Sequence, residues 1–372
     1  MQPLQGIRVL DFTTLLPGPL AALMLAEAGA EVIKIERPER GDEMRSYPHK
    51  FGADSVNFAL LNRGKCSIAI DLKDPKTHER LRPLIESADV LLEQFRPGVM
   101  QRLGLHYEAL ATLNPRLVYC AITGFGQTGP KRDVAGHDLN YIADTGLLSL
   151  AADRAGTPVI PPALIADIAG GTYPAVINIL LALRERERTG KGCYLDIAMT
   201  DHLFTFMYWA LGIGQATGHW PIPGGELVTG GSPRYQIYRT ADDRFVAAAP
   251  LEQKFWDNFC ALIDLPMEQR DDYHDPAATI AAVAALIRAH DAVYWQARFA
   301  GQDVCCNIVT SAEAAFRDAH HRARGLFDAE VSNARGQAIS AVPVPVAPGF
   351  RGARKKPYPT LGEANHLLEG EI

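Results

Sequence analysis

Two positions in the sequence place a reactive side chain among apolar or small residues. Asp167 lies in the run Leu-Ile-Ala-Asp-Ile-Ala-Gly-Gly, and His137 lies earlier, in Ala-Gly-His-Asp-Leu-Asn-Tyr. A carboxyl group in apolar surroundings resists ionisation, which suits it to acid–base or nucleophilic chemistry. Each residue also fits a structural role, because an aspartate at a helix start caps the helix and a loop histidine forms ordinary hydrogen bonds. The residues alone leave both interpretations open.

The motifs of several other enzyme classes fit the sequence poorly. A dinucleotide fold would place G-x-G-x-x-G after the first strand, where this chain has no such motif. The pattern does occur at Gly124, Gly126 and Gly129, but Pro130 and a loop follow it instead of a helix. No His/Cys cluster has zinc spacing, and no G-x-S-x-G elbow anchors a hydrolase triad. We therefore expect neither NAD binding, nor a metal site, nor a serine hydrolase.

Alternating strand and helix patterns in the first half of the chain would position the reactive residues. Short apolar stretches predict strands, and longer stretches between them predict helices. The predicted strands are 7–12, 31–36, 67–71, 88–93 and 117–123, with helices at 19–30 and 76–87. This alternation is typical of an α/β fold with a mostly parallel sheet and helices on both faces.

The pattern changes in the second half of the chain, which predicts a second domain. Long helices at 166–186 and 201–217 are followed by a Gly- and Pro-rich linker, a hairpin at 234–248 and further helices. The C-terminal stretch is expected to pack back on the first domain. The expected division is a large domain made of residues 1–222 and 326–372, with residues 223–325 inserted as a smaller α+β domain.

The composition indicates a globular protein without a nucleic-acid-binding surface. The 372 residues are 47% hydrophobic and 22% charged, and 37 basic against 43 acidic residues give a net charge of −6. That balance, without a run of basic residues, argues against a nucleic-acid partner. The six cysteines form no C-x-x-C and follow no signal peptide, which predicts reduced thiols and a cytoplasmic location. The longest apolar stretch, 163–183, contains Asp167, so a buried helix is expected rather than a membrane span.

A series of ordered motifs covers nearly the whole chain. They are G-I-R-V-L-D-F and L-A-E-A-G-A-E-V-I-K-I-E-R-P near the N-terminus, N-R-G-K-C-S-I-A-I-D-L-K at 62–73, E-Q-F-R-P-G-V-M-Q-R-L-G-L at 93–105, T-G-F-G-Q-T-G-P at 123–130, A-G-H-D-L-N-Y at 135–141, L-I-A-D-I-A-G-G at 164–171 and T-G-K-G-C-Y-L-D at 189–196. Together they resemble the family III CoA-transferase superfamily, the CaiB/BaiF-like proteins. The resemblance implies a Rossmann-like large domain that binds coenzyme A. It also implies an interlocked homodimer, in which the small domain completes the partner's active site.

Within this superfamily the resemblance implies one of two chemistries. In the CoA-transferases an aspartate matching Asp167 attacks an acyl-CoA, and a bulky aromatic residue usually stands where this chain has His137. In the α-methylacyl-CoA racemases the aspartate pairs with the histidine of a G-H-D-x-N-Y motif, which this chain carries at 136–141. We therefore expect a racemase or epimerase that moves the α-proton through an enolate, with His137 and Asp167 as the acid–base pair. Backbone N–H groups at the start of the Asp167 helix are expected to stabilise the enolate oxygen.

The same resemblance implies further site residues. Racemases of this type have a glutamate in the second domain, and Glu252 takes its place. The match around it is imperfect, because Ala249 and Gln253 replace the usual glycine and proline. A larger set is expected to bind the phosphates, adenine and pantetheine of CoA: Arg37, Ile70, Asp71, Leu72, Lys73, Arg96, Arg102, Gly136, Asp138, Leu139, Asn140 and Tyr141. No metal or redox cofactor is expected, since coenzyme A is part of the substrate.

Two alternatives stay open beside the racemase. An acyl-CoA:carboxylate CoA-transferase of the same fold would use Asp167 as its nucleophile and would require a second carboxylic acid. A non-catalytic acyl-CoA-binding protein would bind the thioester without turnover. The intact pair of His137 and Asp167 argues against the second alternative.

Overall fold

The structure, a computed structural model, describes residues 1–152 and 156–369 and divides into two compact units. Unit 1 comprises the described residues of Met1–Thr145, Pro161–Phe206 and Ala319–Ile372, and unit 2 those of Gly146–Ile160 and Met207–Asp318. The predicted boundaries at 222 and 325 therefore differ from the observed ones. The reason is that the described residues of 146–160 and residues 207–222 group with unit 2, whereas residues 319–325 group with unit 1.

The strands and helices follow one another along the chain as predicted for an α/β protein. The strands are β1 (Arg8–Asp11), β2 (Glu31–Glu36), β3 (Lys50–Phe51), β4 (Asp54–Ser55), β5 (Cys66–Ala69), β6 (Val90–Glu93), β7 (Val118–Thr123), β8 (Tyr194–Ala198), β9 (Gln236–Arg239), β10 (Phe245–Ala248), β11 (Cys306–Ile308), β12 (Glu330–Ser332), β13 (Ala338–Ser340) and β14 (Lys355–Pro357). The α-helices are α1 (Pro17–Glu27), α2 (Val56–Asn62), α3 (Thr77–Ser87), α4 (Val99–Arg102), α5 (Tyr107–Leu113), α6 (Asp138–Asp144), α7 (Leu147–Leu150), α8 (Tyr173–Thr189), α9 (Met199–Leu203), α10 (Tyr208–Thr217), α11 (Gln253–Leu262), α12 (Pro276–Arg288), α13 (Ala292–Phe299), α14 (Ala312–Arg317) and α15 (Ala319–Ala323).

A six-stranded parallel sheet forms the centre of unit 1. Its order is β5-β2-β1-β6-β7-β8, and every neighbouring pair is parallel. Strands β2 and β5 follow β1 on one side of the sheet, and strands β6, β7 and β8 follow on the other side. This doubly wound order confirms the predicted Rossmann-like α/β fold. Ligands of such folds bind beyond the carboxyl ends of the strands where the order reverses, here between β1 and β6.

The central strands are apolar on both faces because helices cover both. All residues of β6 and β7 are buried, as are those of β2 after Glu31. Leu10, Ile33 and Leu91 share one buried cluster with Leu81 and Leu84 of α3. Continuous apolar strands of this kind are typical of parallel sheets, since alternation is needed only where one face meets water.

Proline and glycine mark the start of helix α1 and both ends of helix α8. Helix α1 starts on Pro17, where the missing amide hydrogen costs nothing because the first turn has no intrahelical acceptor. Helix α8 carries Pro174 in its first turn and ends at Gly190, which adopts φ 71°. A glycine takes this left-handed conformation without strain, so the helix stops there. The sequence signals for both helices therefore have direct physical causes.

Unit 2 contains a three-stranded antiparallel sheet and several helices. The order is β11-β10-β9, and the β9–β10 hairpin pairs Arg239 with Phe245, as the sequence predicts around residues 241–243. Trp256, Phe259 and Trp295 lie at the centre of its core. Strand β11 was not predicted, because its short run contains Asn307 and lacks a clear alternation.

Candidate active site

The carboxyl edge of the parallel sheet brings the loops after β1 and β6 together. The amide of Gly18, at the start of α1, donates to Oε1 of Gln94, which directly follows β6 (3.0 Å). Phe12 donates its amide hydrogen to the carbonyl of Leu92 (2.8 Å). Arg96 lies two residues beyond Gln94 and is exposed. The point where the strand order reverses therefore presents an accessible cation, as a phosphate-bearing ligand requires.

Asp167 lies on one turn of π-helix rather than at the cap of an α-helix. The π-helix spans Ala166–Thr172 and leads directly into α8. The amide of Tyr173 donates to the carbonyl of Ile168, five residues earlier, which is the π pattern. The interpretation of Asp167 as an N-cap is therefore wrong, since it occupies the second position of the turn. We call residues 166–172 the Asp167 turn.

Asp138 contacts the Asp167 turn directly. Its buried carboxylate accepts the amide hydrogen of Asp167 through Oδ1 (2.9 Å). Burial and, to a smaller extent, the negative charge of Asp138 together raise the pKa of the Asp167 carboxyl to about 7. Among the described residues, no side chain or amide donates a hydrogen bond to the Asp167 carboxylate. This group can thus hold or release a proton near neutral pH.

His137 occupies the N-cap position of α6, immediately before Asp138. Its backbone is extended (φ −127°, ψ 177°), and its amide donates to Oδ1 of Asn140 (3.0 Å). The imidazole is exposed, in contrast to the buried carboxylate of the next residue. Because the backbone turns at the helix start, consecutive residues place one side chain toward solvent and one toward the Asp167 turn. The loop-histidine and catalytic interpretations both fit this position.

Tyr141 supports the segment that carries His137. Its phenol donates to the carbonyl of Gly136 (2.6 Å), and its ring packs edge-on against Phe125. A Cβ on Gly124 or Gly136 would lie within 2.7 Å of this ring, so both glycines allow its close approach. Burial raises the pKa of Tyr141, and the charge of Asp167 adds to this increase. Tyr141 therefore lies inside the site and within the field of Asp167.

The predicted CoA-binding residues divide into exposed and buried groups. Lys73, Arg96 and Arg102 are exposed, and so is Arg37, whose guanidinium pairs with Glu43 (3.1 Å) and lies 2.9 Å from the Gly41 carbonyl. Exposed guanidinium groups are available to phosphate oxygens.

The other predicted binding residues have mostly internal partners. Ile70 is buried and Leu72 half-buried in the main core, while Asp71 accepts the amide hydrogen of Lys73 (3.0 Å). Leu139 is 41% exposed beside His137.

Glu252 lies in unit 2, apart in the chain from the residues above. It is the N-cap residue of α11, and its carbonyl accepts the amide hydrogen of Trp256 (3.0 Å). Its side chain is exposed. This agrees with an acid at a helix start, where the helix dipole favours negative charge.

A buried ion cluster beneath the β1 loop was not predicted from the sequence. It consists of Asp11, Lys34, Asp42 and Lys65. Lys65 pairs with Asp11 (2.9 Å) and Lys34 pairs with Asp42 (3.0 Å), with both lysine side chains fully buried. Lys34 also donates to the carbonyl of Thr13 (2.7 Å), so the cluster fixes the loop that leads into α1. The signal for it is a lysine inside the otherwise apolar strand EVIKIE.

The helical segment that contains the Asp167 turn is long and apolar. Within the described residues, Ala166–Thr189 is one continuous segment that is long enough to cross a bilayer, and half of its most apolar window is buried inside the fold. Such burial is typical of a core helix. Across the described ranges 1–152 and 156–369, no group of three His, Cys, Asp or Glu side chains is placed to hold a metal ion.

The fold and site together define a class of protein: a doubly wound α/β protein that carries a carboxyl group of raised pKa on a π-helical turn. Comparison with known proteins identifies the family. The model of CoA-transferase family III matches residues 4–365. The chain belongs to this family, whose members here include racemases and CoA-transferases.

Individual relatives carry both chemistries. The chain is 35% identical over 380 residues to the alpha-methylacyl-CoA racemase of Homo sapiens, covering 98% of this chain and 92% of that protein. It is 33% identical over 386 residues to the succinyl-CoA:glutarate CoA-transferase of Mus musculus, covering 99% and 86%. The crystal structure of a CAIB/BAIF family protein from Brucella suis matches with a TM-score of 0.85 at 28% identity, covering 100% and 99%.

Proposed function

We propose that the protein is a racemase or epimerase that inverts the α-carbon of 2-methyl-branched acyl-CoA thioesters. The observation that carries the proposal is the Asp167 carboxyl, whose pKa is raised to about 7 by burial and by Asp138. A proton-transfer group works best when its pKa lies near the working pH, whereas a nucleophilic carboxylate has to be ionised. His137, which directly precedes Asp138 in the chain, supplies the second proton-transfer group.

The reaction needs a proton removed from one face of the α-carbon and returned to the other. Neutral His137 takes the α-proton of one epimer, and the C–H electron pair moves into an enolate. Protonated Asp167 then delivers its proton to the opposite face, which leaves a carboxylate and an imidazolium. In the reverse direction the roles exchange. An acid with a pKa near 7 is present in both forms, so it serves both directions.

The enolate oxygen needs hydrogen-bond donors other than two of the amides expected for this purpose, those of Asp167 and Ile168. The amide of Asp167 is taken by Asp138 (2.9 Å), and that of Ile168 by the carbonyl of Leu164 (3.1 Å). Both donors therefore have internal partners already. The negative charge of Asp138 also disfavours an anion at this position, so the enolate oxygen has to point away from the start of the turn.

The exposed cations of unit 1 are the proposed phosphate-binding groups. Arg37, Lys73, Arg96 and Arg102 would bind the phosphates of CoA, and residues 136–141 would lie along the pantetheine. Arg96 is the best supported, because it lies beyond β6 at the point where the strand order reverses. The reaction, as proposed, requires no metal or redox cofactor. The cytoplasmic location stays a prediction.

Glu252 and a second copy of the chain complete the proposed site. In this arrangement the small domain of one chain serves the active site of the other, so Glu252 would act from the partner. An apolar stripe on α8 supports self-association. Ile177 is 56% exposed and Leu181 62%, one helical turn apart, with Tyr173 and Leu180 on the same side. Apolar stripes of this kind usually mark a protein interface.

Proton exchange in D₂O tests the proposal. The protein is incubated with (2R)-2-methylacyl-CoA and no carboxylic acid, and both deuteration at C2 and the epimer ratio are followed. We expect deuteration together with movement toward an equal mixture of epimers. His137→Ala and Asp167→Asn should each abolish most of this activity. Asp144→Asn, which removes an exposed acid of the same α6 helix, is the matched control.

A CoA-transferase is the second candidate, favoured by the mouse CoA-transferase that is similar over 99% of the chain. It would use Asp167 as a nucleophile on the thioester carbonyl and would need an acceptor acid. Formation of a new acyl-CoA only after a carboxylic acid is added, without C2 exchange, would replace the racemase proposal. Tight binding of the thioester with neither reaction would instead indicate a non-catalytic acyl-CoA-binding protein.

A further inference from the structure

The Asp167 turn is held by contacts at both of its ends. Asp138 binds its first half through the amide of Asp167. At the other end, the hydroxyl of Thr172 donates to the carbonyl of Pro17 (2.8 Å), and Nδ1 of His202 lies 3.0 Å from the carbonyl oxygen of Gly170. A π-helical turn is less favourable than an α-helical one, so it persists where outside contacts support it. The His202 contact comes from a different element, α9.

The chemistry of this contact assigns the protonation of His202. Nδ1 lies 3.0 Å from two oxygens, the carbonyl of Gly170 and the carbonyl of Ala198, the last residue of β8. Both are acceptors, so Nδ1 is the ring nitrogen that carries the hydrogen. The contact is therefore a hydrogen bond that joins α9 to the Asp167 turn.

The packing around Gly170 shows why this bond is possible. A Cβ at Gly170 would lie 2.3 Å from the carbonyl oxygen of Met199, and a Cβ at Gly171 would lie 2.9 Å from Cγ of Met199. The two glycines therefore let α9 approach the turn closely enough for His202 to reach its backbone. Nothing in the reaction proposed above uses His202, whose side chain is half-buried.

We propose that His202 is a positioning residue, whose bond to Gly170 keeps the Asp167 turn in its π register and thereby fixes the direction of the Asp167 carboxyl. The inference rests on the proposed function in taking Asp167 as the proton-transfer group. His202 acts through the backbone and does not touch substrate. Loosening its bond lets the turn relax toward an α-helical register, which moves the carboxyl and admits water to it.

Two substitutions separate the bond from the bulk of the side chain. His202→Phe keeps an aromatic ring but removes the donor, whereas His202→Asn offers an amide hydrogen near the position of Nδ1. In the exchange assay we expect kcat of the phenylalanine variant to fall about tenfold to a hundredfold, as for a slightly misplaced catalytic group, with KM nearly unchanged. The asparagine variant should retain most of the activity.

A matched control uses a second histidine with the same kind of contact. Nδ1 of His219 lies 3.0 Å from the carbonyl of Thr217, and this residue is exposed in unit 2. His219→Phe should leave kcat and its pH profile unchanged. If His202→Phe lowers only the melting temperature, with wild-type kcat and pH profile, then His202 is merely structural and the inference is overturned. Should the phenylalanine variant not fold, His202→Ala takes its place.

A titration without substrate separates this inference from the proposed function. The Asp167 carboxyl is followed by NMR on protein with ¹³C-labelled aspartate, with Asp167→Asn for assignment. We expect its pKa to fall toward the ordinary value in His202→Phe and to stay raised in His202→Asn. Loss of burial in the loosened turn is the cause. An unchanged titration in the phenylalanine variant contradicts the inference, even if the wild type catalyses no exchange.

Discussion

Two carboxyl groups of unit 1, those of Asp11 and Asp167, have pKa values shifted in opposite directions. At the ion cluster, burial would raise the pKa of Asp11, but Lys65 and Lys34 outweigh it and hold the pKa below its usual value. At the Asp167 turn, burial raises the pKa to about 7, and the nearby charge is the carboxylate of Asp138 rather than a cation. Burial alone therefore does not decide the direction in which the pKa of an acid shifts, because a cation buried beside it can outweigh the effect of burial.

Burial and the opposite charge also act in opposite directions on the pKa of Lys65 in this cluster. Burial lowers the pKa of Lys65 to about 8, although Asp11 counters the decrease. Lys65 also donates to the carbonyl of Pro19 and to Oδ1 of Asn62, each at 2.9 Å. Every hydrogen of this ammonium group has a partner, as a buried charge requires. The cluster thus stabilises the β1 loop, whereas the carboxyl of Asp167 accepts no hydrogen bond from any residue in the described part of the chain.

The largest expected effect distinguishes the two regions by activity. Asp167→Asn removes the exchangeable proton while preserving the size of the side chain, so the exchange rate should fall about 10²- to 10⁴-fold. Circular dichroism and thermal unfolding should show an intact fold. A variant that retains more than a tenth of the wild-type rate would mean that Asp167 is not a proton-transfer group.

The next largest effect distinguishes the two regions by stability. Asp11→Asn leaves Lys65 charged and buried without its partner, which should cost about 3–5 kcal/mol of unfolding free energy in urea titrations. Lys65→Met should cost a comparable amount. The double variant should lose less than the sum of the two, because neither charge then remains unpaired. If the loss of unfolding free energy in the double variant equals the sum of the two single losses, the ion pair contributes nothing to stability.

The free energy of unfolding should depend on pH because the pKa of Asp167 is raised in the folded protein. The native Asp167 has a pKa of about 7 against an ordinary 3.8, so the folded state binds a proton that the unfolded state releases between these values. Stability from this group is therefore present at low pH and is lost as pH rises toward 7. Above pH 7, Asp167→Asn should be more stable than the wild type by about 1–2 kcal/mol, allowing for the carboxyl's partial exposure to water.

Comparison of the two proteins at pH 4 and pH 8 checks this sign. The stability difference should be small at pH 4 and should grow up to about pH 7. A difference that is constant with pH would mean that the Asp167 carboxyl titrates normally in the folded protein.

The smallest expected effect concerns the charge of Asp138. Asp138→Asn keeps an oxygen that accepts the Asp167 amide hydrogen but removes the negative charge, so the pKa of Asp167 should fall. The pH–rate profile should move to lower pH, with a change of less than about tenfold in rate at its optimum. A pH–rate profile that does not move would mean that burial alone raises the pKa of Asp167. Asp138→Ala, which also loses the hydrogen bond to the Asp167 amide, should lower the exchange rate more than Asp138→Asn does.

Much of the fold could be predicted because its signals are local. The strand at Glu31–Glu36 has the predicted bounds, and the helix around 76–87 differs from the observed Thr77–Ser87 by one residue. The long helix predicted at 201–217 is instead broken into α9, a short 3₁₀ segment at Phe204–Met207 and α10. Apolar periodicity indicates helix content, but it does not reveal where packing in two different units interrupts the axis.

The sequence by itself determined the α/β class, the family and the candidate pair His137 and Asp167. These depend on periodicity and on residues close together in the chain, which a linear pattern records. Only the tertiary structure decided that the pKa of Asp11 is lowered and that of Asp167 raised. Asp11 meets Lys65 and Asp167 meets Asp138 across segments that are far apart in sequence. The Asp167 turn likewise has hydrogen-bond partners in other elements. The pKa of a buried group follows the charges and donors that folding brings to it, which a linear pattern does not record.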